Sequence, residues 1–360
     1  MVIDQIIQYY IKILNAVPSN LPVFSIQGEG CEILLKTVRK TSSGSLEHSV
    51  LPLLTLEGVC QNALNDDDTI AHVMKEPFPA PTCLRLILFT DLDGALLDAT
   101  TYRYDVACSA LDRLREYAVP LIICTSKTKA EVEPLRREID NHDPFIVENG
   151  GALYIPEGYF KCHPTGSTGQ DGYRVIELGI AYPRVRKALR RIEKMVGETL
   201  IGFGDMTVED IVRVTGLARP DAERARQREY DEPFLIESSR KSVEAICEAA
   251  EQLGLTVLSG SRFHHFIGGT DKGRACRLLI EHYRNEWGEV TTAGIGDSLN
   301  DWPMLQVVDR PFLVERPEGG YATGVAVEGL TRLRGIGPDG WKKGVSRLLE
   351  ESVPHPQALN

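Results

Sequence analysis

The sequence predicts an α/β fold: a doubly wound parallel sheet with an inserted α+β domain and an N-terminal extension. Three observations carry that expectation. Short apolar runs alternate with helical periodicity along 84–151 and again along 272–300, as strands buried on both faces of a parallel sheet do. Acidic or hydroxyl-bearing turns follow several of those runs directly. Between 152 and 266 the texture changes to half-exposed strands and amphipathic helices. The 360 residues thus divide into an extension, 1–80, a discontinuous core, 81–151 and 267–350, and an insertion, 152–266.

In the extension, Ile3, Ile6, Ile7, Tyr10 and Leu14 recur at helical spacing and read as an amphipathic helix packed on another element rather than a membrane anchor. Residues 33–35 and 50–56 are apolar runs, Asp66, Asp67 and Asp68 mark a turn or helix start, and Pro77, Pro79 and Pro81 form a stiff linker. No motif there points to chemistry. The core opens with an apolar run at 84–89, broken by Arg85, followed by a helical pattern at 105–117. A second strand at 121–124 leads to a helix at 129–139 that Thr128 can cap, and a third at 145–147 leads to the turn Glu148-Asn149-Gly150-Gly151. In the insertion, 173–178 alternates as a strand, 183–196 is a basic amphipathic helix and 207–215 a helix capped by Thr207. Residues 234–236, 242–253, 256–258 and 263–267 then read as strand, helix, strand and strand. The core resumes with a helix at 272–283, a strand at 291–295 and a helix opening near Asn300.

Composition narrows the partners. With 40 basic and 51 acidic residues the formal charge is −11, and nucleic-acid binding leaves a basic footprint that this chain lacks. No stretch reaches the roughly 20 apolar residues of a membrane span, and 1–17 lacks the basic start and small-residue cleavage site of a signal peptide. Eight scattered cysteines with no C-x-x-C pair argue against a zinc site or a disulfide scaffold. Cys108 and Cys124 sit in patterns typical of buried thiols, and a reducing, cytoplasmic location is expected.

Four signals carry chemistry. Asp91-Leu92-Asp93-Gly94 stands at the end of the first core strand, where ligands of open α/β sheets bind. Two carboxylates there can act as nucleophile and as proton donor, although Asp and Gly are also ordinary turn residues. Gly294-Ile295-Gly296-Asp297-Ser298-Leu299-Asn300-Asp301 follows another strand. Asp297 is a candidate ligand for a hard cation or simply a helix cap, and Asn300 and Asp301 can orient it. Thr125-Ser126-Lys127 ends the second strand and can offer a hydroxyl and backbone N–H groups to a phosphoryl oxygen, or merely cap a helix. Lys272 opens a helix and can bind both a carboxylate and a phosphate, or lie on the surface.

The order of these motifs resembles that of the haloacid dehalogenase superfamily over about 84–349, with the insertion at the place of its type-two caps. The resemblance implies that Asp91 is the nucleophile of an aspartyl-phosphate intermediate and Asp93 the general acid and then base. It implies Mg²⁺ held by Asp91, Asp297 and the backbone carbonyl of Asp93, and a phosphoryl group bound by Lys272 and by Thr125 or Ser126, with Thr125 preferred. Position 95 is Ala where the superfamily usually has Thr, which is expected to weaken the turn without removing a metal ligand.

A narrower set of segments, 147–152, 202–207, 228–234, 262–265 and 268–273, resembles the mannosyl-3-phosphoglycerate phosphatase family. It implies a small phosphorylated glycoside as substrate and release of a compatible solute. The alternatives are another sugar-phosphate phosphatase of glucosyl-3-phosphoglycerate or sucrose-phosphate type, a phosphomannomutase-like phosphotransferase, or a binding module without catalysis. Substrate contacts are expected from Ser126, Asn149, Gly204, Asp205, Arg262 and His264. Residues 262 and 264 share one face of a strand and 263 and 265 the other, so at most one of His264 and His265 faces the site directly. If Asp205 belongs to a cap loop over the sugar, Asp205→Ala raises KM.

Overall fold

The computed structural model describes residues 85–235, 240–260 and 263–352, together with the backbone of three strands nearer the N-terminus. The expected helix at 3–14, the acidic turn, the proline linker and Arg262 lie outside the described residues. The chain forms two units, Met1–Thr82 and Cys83–Asn360. In the first, β1 (Val23–Gln27), β2 (Leu34–Lys40) and β3 (Leu46–Pro52) make an antiparallel sheet in that order, with Val23 opposite Val38 and Leu34 opposite Pro52.

The second unit runs β4 (Leu86–Thr90), α1 (Cys108–Glu116), β5 (Leu121–Cys124), α2 (Lys129–Glu138), β6 (Phe145–Val147), β7 (Ala152–Pro156), β8 (Thr168–Gln170) and β9 (Tyr173–Glu177). It continues with α3 (Tyr182–Val196), β10 (Ile201–Gly202), α4 (Val208–Thr215), α5 (Arg219–Ala225), β11 (Glu232–Leu235), α6 (Arg240–Gln252), β12 (Thr256–Ser259) and β13 (His264–Ile267). It closes with α7 (Lys272–Trp287), β14 (Thr291–Gly296), α8 (Trp302–Leu305), β15 (Arg310–Glu315), β16 (Thr331–Ile336) and α9 (Pro338–Ser352).

Nine strands form one sheet in the order β16-β15-β14-β4-β5-β6-β7-β9-β8. The six from β16 to β6 pair in parallel. β4 alternates between two cores: Leu86 and Leu88 pack on one face, with Trp341 of α9, while Ile87 and Phe89 pack on the other, with Leu279 and Tyr283 of α7. This two-sided burial explains why the strand reads as an unbroken apolar run. Truncating Phe89 to Ala would cost about 3–5 kcal/mol. The chain winds from β4 toward β6 on one side and returns as β14–β16 on the other. The crevice at the carboxyl end of β4 is therefore the topological switch point, where α/β sheets bind ligands.

One expected boundary moves. Residues 152–177 were expected in the insertion, but β7, β9 and β8 extend the core sheet antiparallel from β6. The tight turn over Glu148–Gly150 folds β7 straight back onto β6, and an aromatic cluster fixes the hairpin. Phe145 and Tyr154 stack at 5.0 Å, and Tyr173 packs edge-on to both. The inserted domain proper begins with α3. It has its own four-stranded antiparallel sheet, β10-β11-β13-β12, with α3 and α6 packed on it. A second small core lies under α4 and α5.

Most other expected elements appear within a residue or two. β1, β7, β8, β10, α5, β15, β16 and α9 have no counterpart among the expected elements. Cys124 is buried as expected, whereas Cys108 is exposed. No helix among the described residues is long and apolar enough to cross a membrane.

Candidate active site

β4 delivers Asp91 and Asp93 to the switch point. Gly94 has φ +86°, and a Cβ there would lie 2.6 Å from Oδ2 of Asp297, so only glycine lets the two motif loops meet. The turn is closed by backbone bonds from Gly94 N–H to the Leu97 carbonyl and from Leu97 N–H to the Leu92 carbonyl. Ala95 is fully buried in the core beneath it. A hydroxyl at 95 is thus not needed to shape this turn.

α7 starts with Lys272, whose side chain is completely buried. Its Nζ donates to Oδ1 of Asp91 at 2.7 Å and to Oδ1 of Asp301 at 2.6 Å. Close packing holds it there: a Cβ on Gly150 would strike the Asp271 carbonyl, and one on Gly273 the Pro303 carbonyl. Burial opposes the charge on Lys272, but Asp301 and Asp91 outweigh it and hold the ammonium above its ordinary range. Burial, reinforced by Asp301, pushes the Asp91 carboxyl up to about 7 against the pull of Lys272. Asp297 is driven well up by burial and by the charges of Asp301 and Asp91.

Asp91, Asp297 and Asp301 bring carboxylate oxygens within 4.8 Å of one another, a cluster able to hold a cation. Two polar atoms nearby, Oδ1 of Asp93 and Oδ1 of Asp297, are buried with no hydrogen-bond partner among the described residues. Such orphans are costly unless something polar or charged meets them. Asp301 is differently placed, because its Oδ1 accepts from Lys272 and its Oδ2 accepts the N–H groups of Asp297 and Ser298 at 3.0 and 3.1 Å.

The remaining oxygen of Asp93, Oδ2, is paired with Lys127 Nζ at 2.9 Å, and the ring of Tyr102 lies 5.0 Å from the same ammonium. Burial works against the Lys127 charge, but Asp93 and Glu131 raise it above its ordinary range. A cleft opens over these groups. Its core wall includes Asp91, Asp93, Ser126, Lys127, Ser298 and Asn300, and its cap wall Phe203, Leu217, Arg228, Phe263 and His265.

The haloacid dehalogenase-like hydrolase family profile matches residues 88–161. A glucosyl-3-phosphoglycerate/mannosyl-3-phosphoglycerate phosphatase of Methanococcoides burtonii is 44% identical over 266 residues, 74% of this chain and 98% of that one. The chain belongs to the mannosyl-3-phosphoglycerate phosphatase family. A mannosyl-3-phosphoglycerate phosphatase of Pyrococcus horikoshii is 37% identical over 63% of this chain and 90% of its own length. Among solved structures, a subclass IIB sugar phosphatase of the superfamily matches 74% of this chain and 99% of its own at 16% identity, with a TM-score of 0.51. A haloacid dehalogenase-like hydrolase from B. subtilis matches 75% and 100% at 17% identity, with a TM-score of 0.52. Both share the fold. As a member of this phosphatase family the protein is a phosphoric monoester hydrolase.

Within this phosphatase the core motifs converge as expected: Asp91, Asp93, Lys272, Asp297, Asn300 and Asp301 meet at one place. At the second motif, Ser126 lines the cleft, while Thr125 is fully buried and its Oγ1 accepts the Lys127 N–H at 3.2 Å.

The cap wall departs from expectation. His264 is not in the cleft; its Nδ1 meets Ser259 Oγ at 3.2 Å and its ring lies 5.9 Å from that of Phe234. The strand alternation holds with the opposite sign, since Phe263 and His265 face the cleft. Asp205 is drawn away by Arg186 at 2.5 Å and by Arg190. Gly204 abuts Arg186 and gives its N–H to Glu232, and neither residue lines the cleft. Asn149 does not line it either. Its Nδ2 donates to Asp231 at 2.7 Å, and its Oδ1 accepts from Asn300 at 3.1 Å.

Two cations of the cleft were not singled out. Lys127 stood inside the second motif. Arg228 opened one of the resembling segments, and its Nη1 donates to the Ser126 carbonyl at 2.7 Å. Burial opposes its charge, but Asp231 and Glu148 raise it.

Proposed function

We propose that this phosphatase hydrolyses 2-O-mannosyl-3-phosphoglycerate, and its glucosyl analogue, to the free glycosylglycerate, a compatible solute. The relatives' names support the substrate, and one observation carries the chemistry: Asp91 and Asp93 face one cleft, the first held by a buried lysine. Asp91 attacks phosphorus, and the bond from phosphorus to the glycerate oxygen breaks. Asp93 gives its proton to that departing oxygen. It then takes a proton from water as the water displaces phosphate from Asp91. Lys127 orients Asp93 through one oxygen, leaving the unpartnered Oδ1 for proton exchange. Lys272 fixes Asp91 and faces the charge that builds on the phosphoryl oxygens.

The orphaned Oδ1 of Asp297 and the carboxylate cluster fit a hard divalent cation. Mg²⁺ would be held by Asp91, Asp297 and the carbonyl of Asp93, with Asp301 orienting the loop because both its oxygens are already engaged. When bound, it supplies positive charge to the phosphoryl group. Ser126 or Thr125 would bind a phosphoryl oxygen. The substrate carries phosphate and carboxylate, and Lys127, Lys272 and Arg228 give a net-acidic protein a locally positive cleft. A cytoplasmic setting accords with the free thiols.

The test is phosphate release from a panel of glycosyl and sugar phosphates with Mg²⁺. We expect the two glycosyl-3-phosphoglycerates to lead the panel and Asp91→Asn to abolish turnover with the fold intact. Return of an isomeric phosphate would make the protein a mutase, and residual wild-type rate in Asp91→Asn would end the covalent mechanism.

A further inference from the structure

A chain of hydrogen bonds joins the cap wall of the cleft to the loop carrying Asp297, and every link has a forced direction. Asp231 is fully buried and, as a carboxylate, can only accept. It accepts from His265 Nδ1 at 2.9 Å and from Asn149 Nδ2 at 2.7 Å. Asn149 therefore turns its oxygen to Asn300, whose Nδ2 donates at 3.1 Å, and the oxygen of Asn300 accepts from Ser298 Oγ at 2.5 Å. At the other end, donation by Nδ1 to Asp231 leaves Nε2 as the ring nitrogen of His265 that can meet another group. That nitrogen lies beside Gly260, 3.3 Å from where a Cβ would stand, and both residues line the cleft.

We propose that His265 is a specificity-determining residue whose Nε2 hydrogen-bonds a hydroxyl on the glycosyl half of the substrate. Its position is referred through Asp231 and the two asparagines to the loop that carries Asp297. The inference rests on the function proposed above. The anionic ends of the substrate have lysine and arginine partners, whereas a sugar hydroxyl needs a hydrogen-bonding group on a wall that Phe203, Leu217 and Phe263 make largely apolar; the hydroxyl of Thr215 there is already engaged with the Ile211 carbonyl and the Leu217 N–H. His265 is such a group, and its anchoring to the core rather than to the cap alone sets its distance from Asp91.

The experiment compares kcat/KM for 2-O-mannosyl-3-phosphoglycerate with that for p-nitrophenyl phosphate, which lacks a sugar, in the full-length protein. His265→Phe keeps a ring and removes both nitrogens. We expect the ratio of the two values to fall about tenfold, the size of one hydrogen bond. His265→Gln restores a polar atom at the reach of Nε2 and is expected to recover most of the ratio. A purely structural histidine would lower both activities together and leave the ratio unmoved. Thermal melts check folding, and His265→Met replaces the Phe variant if the ring does not fit. A ratio within twofold of wild type in the variant without ring nitrogens, or an equal loss in the Gln variant, overturns the proposal. If the wild type cleaves p-nitrophenyl phosphate but not the glycosylated substrate, the proposed function itself falls, and this inference with it.

Discussion

The two walls of the cleft are built on different plans. On the core wall each charged group has an opposite charge close by: Lys272 lies 2.7 Å from Asp91 and 2.6 Å from Asp301, and Lys127 lies 2.9 Å from Asp93. These groups stand at strand ends and on the first turn of a helix, so parallel ladders fix their positions. Among the described residues the cap wall is mostly apolar, its polar side chains being Thr215, Arg228 and His265, and it rests on a sheet with its own core. Under the proposed function the chemistry falls to the core wall and the choice of the organic group to the cap wall, which has a sheet and core of its own and is tied to the core through Asn149 and Glu148.

The strongest way to break this contrast is Lys272→Met. It leaves Asp91 and Asp301 as buried carboxylates without their cation. We expect loss of turnover and about 3–5 kcal/mol of lost stability, measured by phosphate release and urea unfolding. A stable, active variant would mean that the core wall is not held by that pairing. Next comes Arg228→Lys on the cap side. An ammonium does not reproduce the planar fork that reaches the Ser126 carbonyl, so KM should rise about tenfold with a smaller change in kcat. A fall confined to kcat would move Arg228 into the core wall's task.

The same contrast explains what could be read in advance. Asp91, Asp93, Lys272 and Asp297 were legible because the parallel sheet ties each to a strand end or helix start, and those announce themselves as apolar runs and caps. The cap wall gave no such signal. Strand alternation separated His264 from His265 but could not say which face meets the cleft, since that depends on how β13 pairs with β11 and β12. Asp205 and Asn149 stood in suggestive segments, yet each is consumed by partners distant in sequence. β15 and β16 were missed because Pro311 and alternating arginines mask their periodicity. The hairpins at 152–177 looked like the start of the insertion because they alternate as half-exposed strands do.

Glu148 stands in the turn after β6 and joins the core to the cap. Its carboxylate accepts the N–H groups of Glu229, Tyr230 and Asp231, each at 2.9 Å, and so fastens the cap to the end of β6. Burial, opposed by Arg228 and joined by Asp231, pushes its carboxyl up to about 7 from 4.5. The folded protein therefore holds this proton more tightly than the unfolded chain. The associated stability is complete below about pH 4.5 and is lost as pH rises through 7, a change of roughly 3 kcal/mol. Glu148→Gln should remove that slope, seen as a smaller stability difference between pH 5 and pH 8 in urea unfolding. An unchanged slope would assign the pH dependence to other raised carboxyls, such as Asp91 and Asp297.

The smallest expected effect separates the cleft from its surroundings. Asp205 stands next to Phe203, which lines the cleft, yet its carboxylate turns the other way into Arg186 and Arg190 and accepts the Gly202 N–H at 3.2 Å. The pairs are partly exposed, so Asp205→Ala should cost about 1 kcal/mol or less. Arg186 keeps Glu232 at 3.0 Å as a partner, so the loop has a reason to stay in place. KM for a glycosylated substrate should then match the wild type within about twofold, well inside the effect of one lost hydrogen bond. A marked rise in KM would show that this loop leaves its arginines to reach the bound sugar. The cap wall would then be remade on binding rather than preformed.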